Sequence, residues 1–278
     1  MSKCDVCFRE CNLNEGEIGF CNGRKNENGK IIPLNYGKIT SIALDPIEKK
    51  PLRRFYPGSN ILSVGSFGCN LRCPFCQNHS ISMAGFGDFL GYDFSPEKLC
   101  NIAESMQDRG NIGIAFTYNE PLIGYEFVRD TEKIAKEMDL KTVIVSNGTA
   151  KKEIVRELLE TTDAMNIDLK AFSESYYRDV LKGNLHQVMD TIEMAAEKCH
   201  LELTTLIIPG LNDSEEEMED MCSWIASLNG GWGKYIPLHI SRYFPAYHMR
   251  ENPTPISKII TLQEIAKKRL EYVYRGNC

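Results

Sequence analysis

The sequence predicts an α/β chain: a partial or full TIM-like (β/α) barrel behind a small Cys-rich N-terminal segment. Three observations carry that prediction. From residue 58 onward, short apolar runs alternate with longer amphipathic stretches. The runs lack the strict alternation of a half-exposed strand, which implies burial on both faces, as in parallel sheets flanked by helices. Polar side chains fall just beyond the runs, at the carboxyl ends where barrel active sites are built. A chain of 278 residues can bury one large core. The expected division is 1–57, a Cys-rich metal-binding segment with a β-rich connector, and 58–278, the barrel.

In chain order, Cys4–Cys21 is loop-rich, and Gly29 and Gly37 flank the β-like runs Lys30–Asn35 and Lys38–Leu44. Pro46, Pro51 and Pro57 punctuate the passage into the barrel. The barrel strands are expected at Ile61–Val64, Ile112–Phe116, Thr142–Val145, Met165–Ile167, Leu203–Ile208, Ile236–Ile240 and Glu271–Tyr274. Ser95-Pro96-Glu97 reads as an N-cap with proline at the first helical position. Asn212-Asp213-Ser214 precedes a run of acids placed where a helix dipole favours them. Such β-α units with right-handed crossovers most simply give a barrel. A doubly wound open sheet is the competitor, and periodicity does not separate the two.

The net charge is −6, from 32 basic and 38 acidic residues, with no basic stripe. Phosphate-backbone affinity rests on neutralising cations, so nucleic-acid binding is not expected. No apolar run is long enough to span a membrane, and MSKCDVCFREC lacks the apolar core of a secretory signal. The expectation is a cytoplasmic protein. The acidic run Glu215–Glu219 is read as a solvated helix face, and Met83, Met106 and Met138 as core filler.

Eleven cysteines, an odd number, argue for metal ligation over disulfides in a reducing compartment. Cys100, Cys199 and Cys222 read as small buried hydrophobes and Cys278 as an exposed thiol. Cys69, Cys73 and Cys76 have the spacing C-x3-C-x2-C with no fourth cysteine nearby. Three thiolates can hold three irons of a [4Fe-4S] cube and leave the fourth open to an exogenous molecule. A zinc ion closed through His79 is the competing reading. Cys4, Cys7, Cys11 and Cys21, spaced C-x2-C-x3-C-x9-C, form a closed set suited to a second iron–sulfur cluster or to structural zinc, with four free thiols as the plainer alternative. Gly65 and Gly68 are read as letting the backbone approach the cluster.

The cysteine motif, with Phe75 before its third cysteine, resembles that of the radical S-adenosylmethionine (SAM) superfamily. The order Cys-loop, FTYNEP, VSNGT, NIDLK, LIIPGLNDS and PLHISR resembles the glycyl-radical-enzyme activases of the pyruvate formate-lyase type across most of residues 58–278. Closer still is the radical SAM member of the AmmeMemoRadiSam group, which shares the N-terminal cysteine segment, FTYNEP and YVYRGN. The resemblance implies a [4Fe-4S] cluster at Cys69, Cys73 and Cys76 whose open iron takes the amino and carboxylate groups of SAM. It also implies reductive cleavage of SAM to a 5′-deoxyadenosyl radical, an electron donor of the flavodoxin or ferredoxin type, and a protein or peptide glycine as substrate. Modification of another protein or of a small molecule is the alternative. An electron-carrying or zinc-stabilised interaction protein is the non-enzymatic one.

Residue by residue, the resemblance puts Glu120, with Asn119, at the SAM ammonium and Asn78 near the SAM or cluster. Ser146 and Asn147 fall at the methionine or ribose end, and Leu206–Ile208 against the adenine. Asp168 and Lys170 match a DLK motif near SAM and substrate. Separated by two along a strand, both can point inward and pair, and a structural ion pair at the barrel mouth is the plainer alternative. His239 is a candidate substrate-side hydrogen-bond partner or, equally, a satisfied core histidine. Two departures stand out. Tyr118-Asn119 occupies the place of two glycines in the activases, and Thr204-Thr205 stands where an arginine can occur.

Overall fold

The computed structural model describes residues 1–278. Its centre is an eight-stranded sheet. The strands are β1 (Ser41–Pro46), β2 (Asn60–Gly65), β3 (Asn111–Phe116), β4 (Lys141–Ser146), β5 (Ala164–Asp168), β6 (His200–Ile207), β7 (Leu238–Arg242) and β8 (Val273–Gly276). Spatial order follows chain order. Strands β2 to β8 run parallel, and β1 pairs antiparallel with β2. Crossovers that all advance in one direction, with one hand, put their helices on one face. The doubly wound alternative, in which strand order reverses, is thereby excluded. Strands β1 and β8 share no ladder, so the sheet is an open, partial barrel.

The apolar runs form these strands because both faces are covered: most residues of β2, β3, β4 and β5 are buried. The helices follow their start signals. The Ser95 hydroxyl accepts from the Lys98 amide at 3.2 Å and opens α1 (Pro96–Glu104). Next come α2 (Tyr125–Glu137), α3 (Lys152–Leu158) and α4 (Leu185–Lys198). Ser214 accepts from the Glu217 amide at 3.1 Å and opens α5 (Glu215–Gly231), which loses helical geometry at Leu228–Gly230; α6 (Ile256–Ala266) is last. No helix is long and apolar enough to cross a membrane.

Residues 41–46, within the expected connector, are the edge strand β1 of the central sheet. Ahead of them, two small hairpins hold the N-terminal cysteines against the barrel. Arg24 clamps them down by pairing with Glu126 of α2 at 2.7 and 2.9 Å. Cys7 bridges to Ala150, and the Lys151 amide donates to the Val6 carbonyl at 2.9 Å. Cys4 and Val6 belong to the main hydrophobic core.

Candidate active site at the carboxyl end of the sheet

The loop after β2 carries Cys69, Cys73 and Cys76, and all three line one cavity of about 270 Å³. Asn78, Asn119, Glu120, Ser146, Asn147, Asp168, Lys170 and Leu206 share it, so strand ends far apart in sequence do converge. Thr204, Ser241 and Asn277 also line it, as does Tyr118.

Glu120 is the hub, and it is 2% exposed. It accepts from the Leu122 amide at 3.0 Å, the Ser146 hydroxyl at 2.8 Å and the Asn147 amide at 2.8 Å. Burial pushes its carboxyl up to about 7, against the pull of those hydrogen bonds. Asn147 donates to Asn70 at 3.0 Å and lies 3.7 Å from the Cys69 sulfur. The carboxylate shelf and the cysteine loop are therefore one hydrogen-bonded unit. Asn119 lines the cavity, but its side chain is spent on the loop: its oxygen accepts from Ser66, and its amide donates to Phe67 and Gly68. Asn78 donates to the Tyr118 carbonyl at 2.8 Å.

Tyr118 explains how the chain does without glycine there. It adopts φ +72°, a left-handed conformation that glycine takes freely and an aromatic residue at a cost. Its hydroxyl donates to Asp45 at 2.9 Å, the Lys50 ammonium lies 4.7 Å from its ring, and Gly65 leaves room for the ring. A Cβ on Gly65 would meet Tyr118 at 2.8 Å, and one on Gly68 (φ +89°) would meet the Cys21 carbonyl at 2.4 Å. The close approaches expected toward a cluster are thus made by Gly65 to Tyr118 and by Gly68 to the N-terminal cysteine loop.

Across the cavity, Lys170 and Asp168 pair at 2.7 Å. Burial opposes the Lys170 charge, but Asp168 and Cys73 outweigh it, so the ammonium stays charged beside the thiols. Burial pushes the Cys73 thiol up to about 11 and raises Cys69 further. Such thiols become thiolates only beside a cation such as iron. A further donor has no protein partner: the hydroxyl of Tyr176, a residue 5% exposed. After burial, the charge acting most strongly on it is that of Cys73. Three loop thiols lining one cavity, with a charged Lys170 beside them, are a donor set that fits an iron–sulfur cluster. Zinc closure through His79 fits less well, because His79 is not among the residues that line the cavity shared by the three cysteines, and its ring stacks on Tyr247 instead.

His239 does not belong to this site. Its Nε2 lies 2.6 Å from Glu202, which also meets His200 at 3.0 Å and the amides of Arg53 and Arg54 at 3.0 and 2.7 Å. The candidate substrate contact is thus corrected to a satisfied core histidine, set in a knot near the amino ends of β6 and β7. Asn70 and Tyr176 were not singled out by sequence, and Tyr118 was noted only as a departure from a glycine pair. Asn70 lies inside the GCNLRC loop, and that position was its only signal. Tyr176 sits in a π-helical turn, Tyr176–Leu181, that periodicity does not announce.

An open (β/α) sheet with three loop thiols facing a buried carboxylate, at its carboxyl end, defines a metal- and cosubstrate-binding enzyme class. The model of the radical SAM superfamily matches residues 63–225, more than half of the chain, and this protein belongs to that superfamily. Members of the family use a [4Fe-4S] cluster and SAM. An uncharacterized protein of Methanocaldococcus jannaschii is 39% identical over 99% of this chain and 81% of its own length. The pyruvate formate-lyase-activating enzyme of Clostridium pasteurianum is 29% identical over 62% of this chain and 72% of its own. The Escherichia coli K12 pyruvate formate-lyase 1-activating enzyme is 23% identical over 54% and 61%. Among solved structures, a domain of a pyruvate-formate lyase-activating enzyme from Bacteroides vulgatus superposes with TM-score 0.52, at 20% identity, covering 59% of this chain and 99% of that one. Streptococcus suis SuiB bound to S-adenosylmethionine gives 0.61, at 14%, covering 78% and 52%.

Proposed function

We propose that the chain cleaves SAM reductively at a cluster held by Cys69, Cys73 and Cys76 and abstracts hydrogen from a protein or peptide glycine, as an activase does. The observation that carries this reading is the Glu120 shelf, tied through Asn147 to the sulfur of Cys69 on the wall of the same cavity. Bound there, the cluster and SAM would supply the electron and the radical.

The chain's own residues would do the rest. Glu120 would receive the SAM ammonium, holding the ionised carboxylate in a charge-assisted bond. Ser146 and Asn147 fix its two oxygens, and the main chain at Asn119 and Asn78 would border the ligand. Leu206 would face the adenine. Asp168 and Lys170 would hold the substrate side closed to water, since a misdirected radical invites side reactions. The two relatives named as activating enzymes support a glycine substrate. The AmmeMemoRadiSam resemblance and the departures at Tyr118-Asn119 and Thr204-Thr205 favour a second reading, modification of another protein or of a small molecule.

The test is anaerobic reconstitution followed by dithionite and SAM, assaying 5′-deoxyadenosine. Enzyme should form it even without substrate, whereas an electron carrier or zinc protein forms none. Deuterium passing from a Cα-deuterated glycyl peptide into that product supports the activase reading, and product that stays unlabelled with the peptide present counts against it.

A further inference from the structure

The four N-terminal cysteines lie outside the cavity, yet they abut its cysteine loop. Cys4, Cys7 and Cys21 are buried and Cys11 half-buried, all as free thiols. They are neighbours: the Cys4 amide donates to the Cys11 carbonyl at 2.9 Å, and the charges of Cys4, Cys7, Cys11 and Cys21 act on one another. The Cys69 amide donates to the Cys21 carbonyl at 3.1 Å, so a residue of one set is hydrogen-bonded to a residue of the other. The left-handed Gly68 leaves just enough space for that contact. A second route runs through Asn70: Arg9, between Cys7 and Cys11, donates to its carbonyl at 2.7 Å, and its side chain accepts from Asn147, which lies 3.7 Å from the Cys69 sulfur.

Cations surround the junction. Arg9 and Arg72 enclose the Phe20 ring, with guanidinium carbons 3.4 and 3.9 Å from its centre. Arg9, from the N-terminal segment, donates to the Asn70 carbonyl at 2.7 Å, and Arg72, from the cysteine loop, to the Cys69 carbonyl at 2.8 Å. Two positive charges serving both thiol sets suit two anionic clusters rather than one.

Spacing separates iron–sulfur from zinc. A zinc tetrahedron with Zn–S bonds of about 2.3 Å brings its thiolates within about 4 Å of one another. No three metal-ligating side chains converge on a point where one ion could sit. The same holds for Cys69, Cys73 and Cys76, whose family uses a cube. Neither set converges as the ligands of a single ion would, and the N-terminal four share that trait with the loop whose family uses a cube.

We infer that Cys4, Cys7, Cys11 and Cys21 hold a second, fully protein-ligated iron–sulfur cube that passes electrons to the cluster at Cys69, Cys73 and Cys76 across the Cys21–Cys69 contact. The relay half rests on the function proposed above; the binding half does not. An external one-electron donor of the flavodoxin or ferredoxin class reduces the N-terminal cube. That cube is then oxidised by one electron as its neighbour is reduced, and no bond forms or breaks.

The experiment uses the full chain, reconstituted anaerobically. Wild type should carry about twice the iron and acid-labile sulfide of Cys4→Ala/Cys21→Ala. One zinc per chain, or iron unchanged in that variant, overturns the proposal. In Cys69→Ala/Cys73→Ala/Cys76→Ala the reduced protein should keep a cube resonance that ignores SAM, and its absence from soluble, helical protein counts against the site. The wild-type metal count stands even if both variants fail to fold. Doubly reduced wild type should show a resonance split by coupling between two paramagnets, and a plain sum of two spectra overturns the relay. Loss of the SAM response with the second resonance intact would sink the proposed function and leave this site standing.

Discussion

Glu120 combines full burial, three hydrogen bonds and a carboxyl lifted to about 7. A cationic ligand beside it favours the ionised form, so binding below pH 7 must expel a proton and binding above it need not. SAM titration into holoenzyme should therefore show a buffer-dependent enthalpy at pH 6 that vanishes by pH 8, and identical enthalpies at both would contradict the role. In Glu120→Gln, an amide donor faces the Asn147 N–H, at a cost of roughly 1–3 kcal/mol, and SAM affinity should fall at least about tenfold, an expectation based on losing one charged contact. Tyr176→Phe separates packing from tuning. Removing an unpartnered hydroxyl should leave the apo fold as stable or slightly more so. In holoenzyme a cluster potential that moves negative would show that this hydroxyl acts on the cluster, since hydrogen-bond donors near it raise its potential. An unchanged potential would make Tyr176 packing alone. Sequence placed Glu120, Ser146 and Asn147 in the site because each follows an apolar run. It could not show that the Asn119 side chain turns to the loop or that His239 turns to Glu202, because those partners lie far away in sequence.

At the scale of elements, the cysteine loop is held by its neighbours more than by itself. Leu181 of the π-helical turn accepts from the Arg72 amide at 2.9 Å, and a Cβ on Gly183 would meet Leu71 at 2.8 Å. Gly68→Ala combines a left-handed φ with a clash on the Cys21 carbonyl. It should cost on the order of 2 kcal/mol or more in denaturant unfolding, and a loss under half that would mean the two cysteine loops part easily. Element positions were legible where local chemistry sets them: the Ser95 cap opens α1 as expected, the acids after Ser214 fall in the first turn of α5, and every barrel run overlaps a strand. Strand limits shifted by a residue or more where ladder partners, not apolarity, decide the end. β6 starts at His200 because it pairs from Ala164 onward. The π-helical turn was invisible for the same kind of reason: its tyrosines are fixed by the loop they pack on.

Across the whole molecule, the two ends of the sheet do different work. The carboxyl end gathers the cavity, while near the amino end Glu202 gathers His200, His239 and two backbone amides. Burial alone would raise Glu202, but those partners hold it down to about 2. A lowered folded-state value gives stability that is present above the unfolded value, about 4.5, and lost as pH falls toward 2. Denaturation of wild type against Glu202→Gln should show a gap on the order of 2–3 kcal/mol at neutral pH that closes in acid; a pH-independent gap would assign the knot to packing. Sequence suggested the barrel, but its openness depends on which strands meet at the seam, and no local pattern encodes that. Nor did composition mark residues 41–46 as part of the sheet, since β1 is half-exposed along its length.

The central claim is that the Cys69–Cys76 loop and the Glu120 shelf form one receptor for an iron–sulfur cube and its sulfonium cosubstrate. Electron paramagnetic resonance of the dithionite-reduced, anaerobically reconstituted protein, before and after SAM, tests it most directly. A cube resonance whose g-values shift on SAM addition, and shift far less in Glu120→Gln, is the predicted result. A spectrum indifferent to SAM, or a diamagnetic protein carrying only zinc at those thiolates, would contradict it.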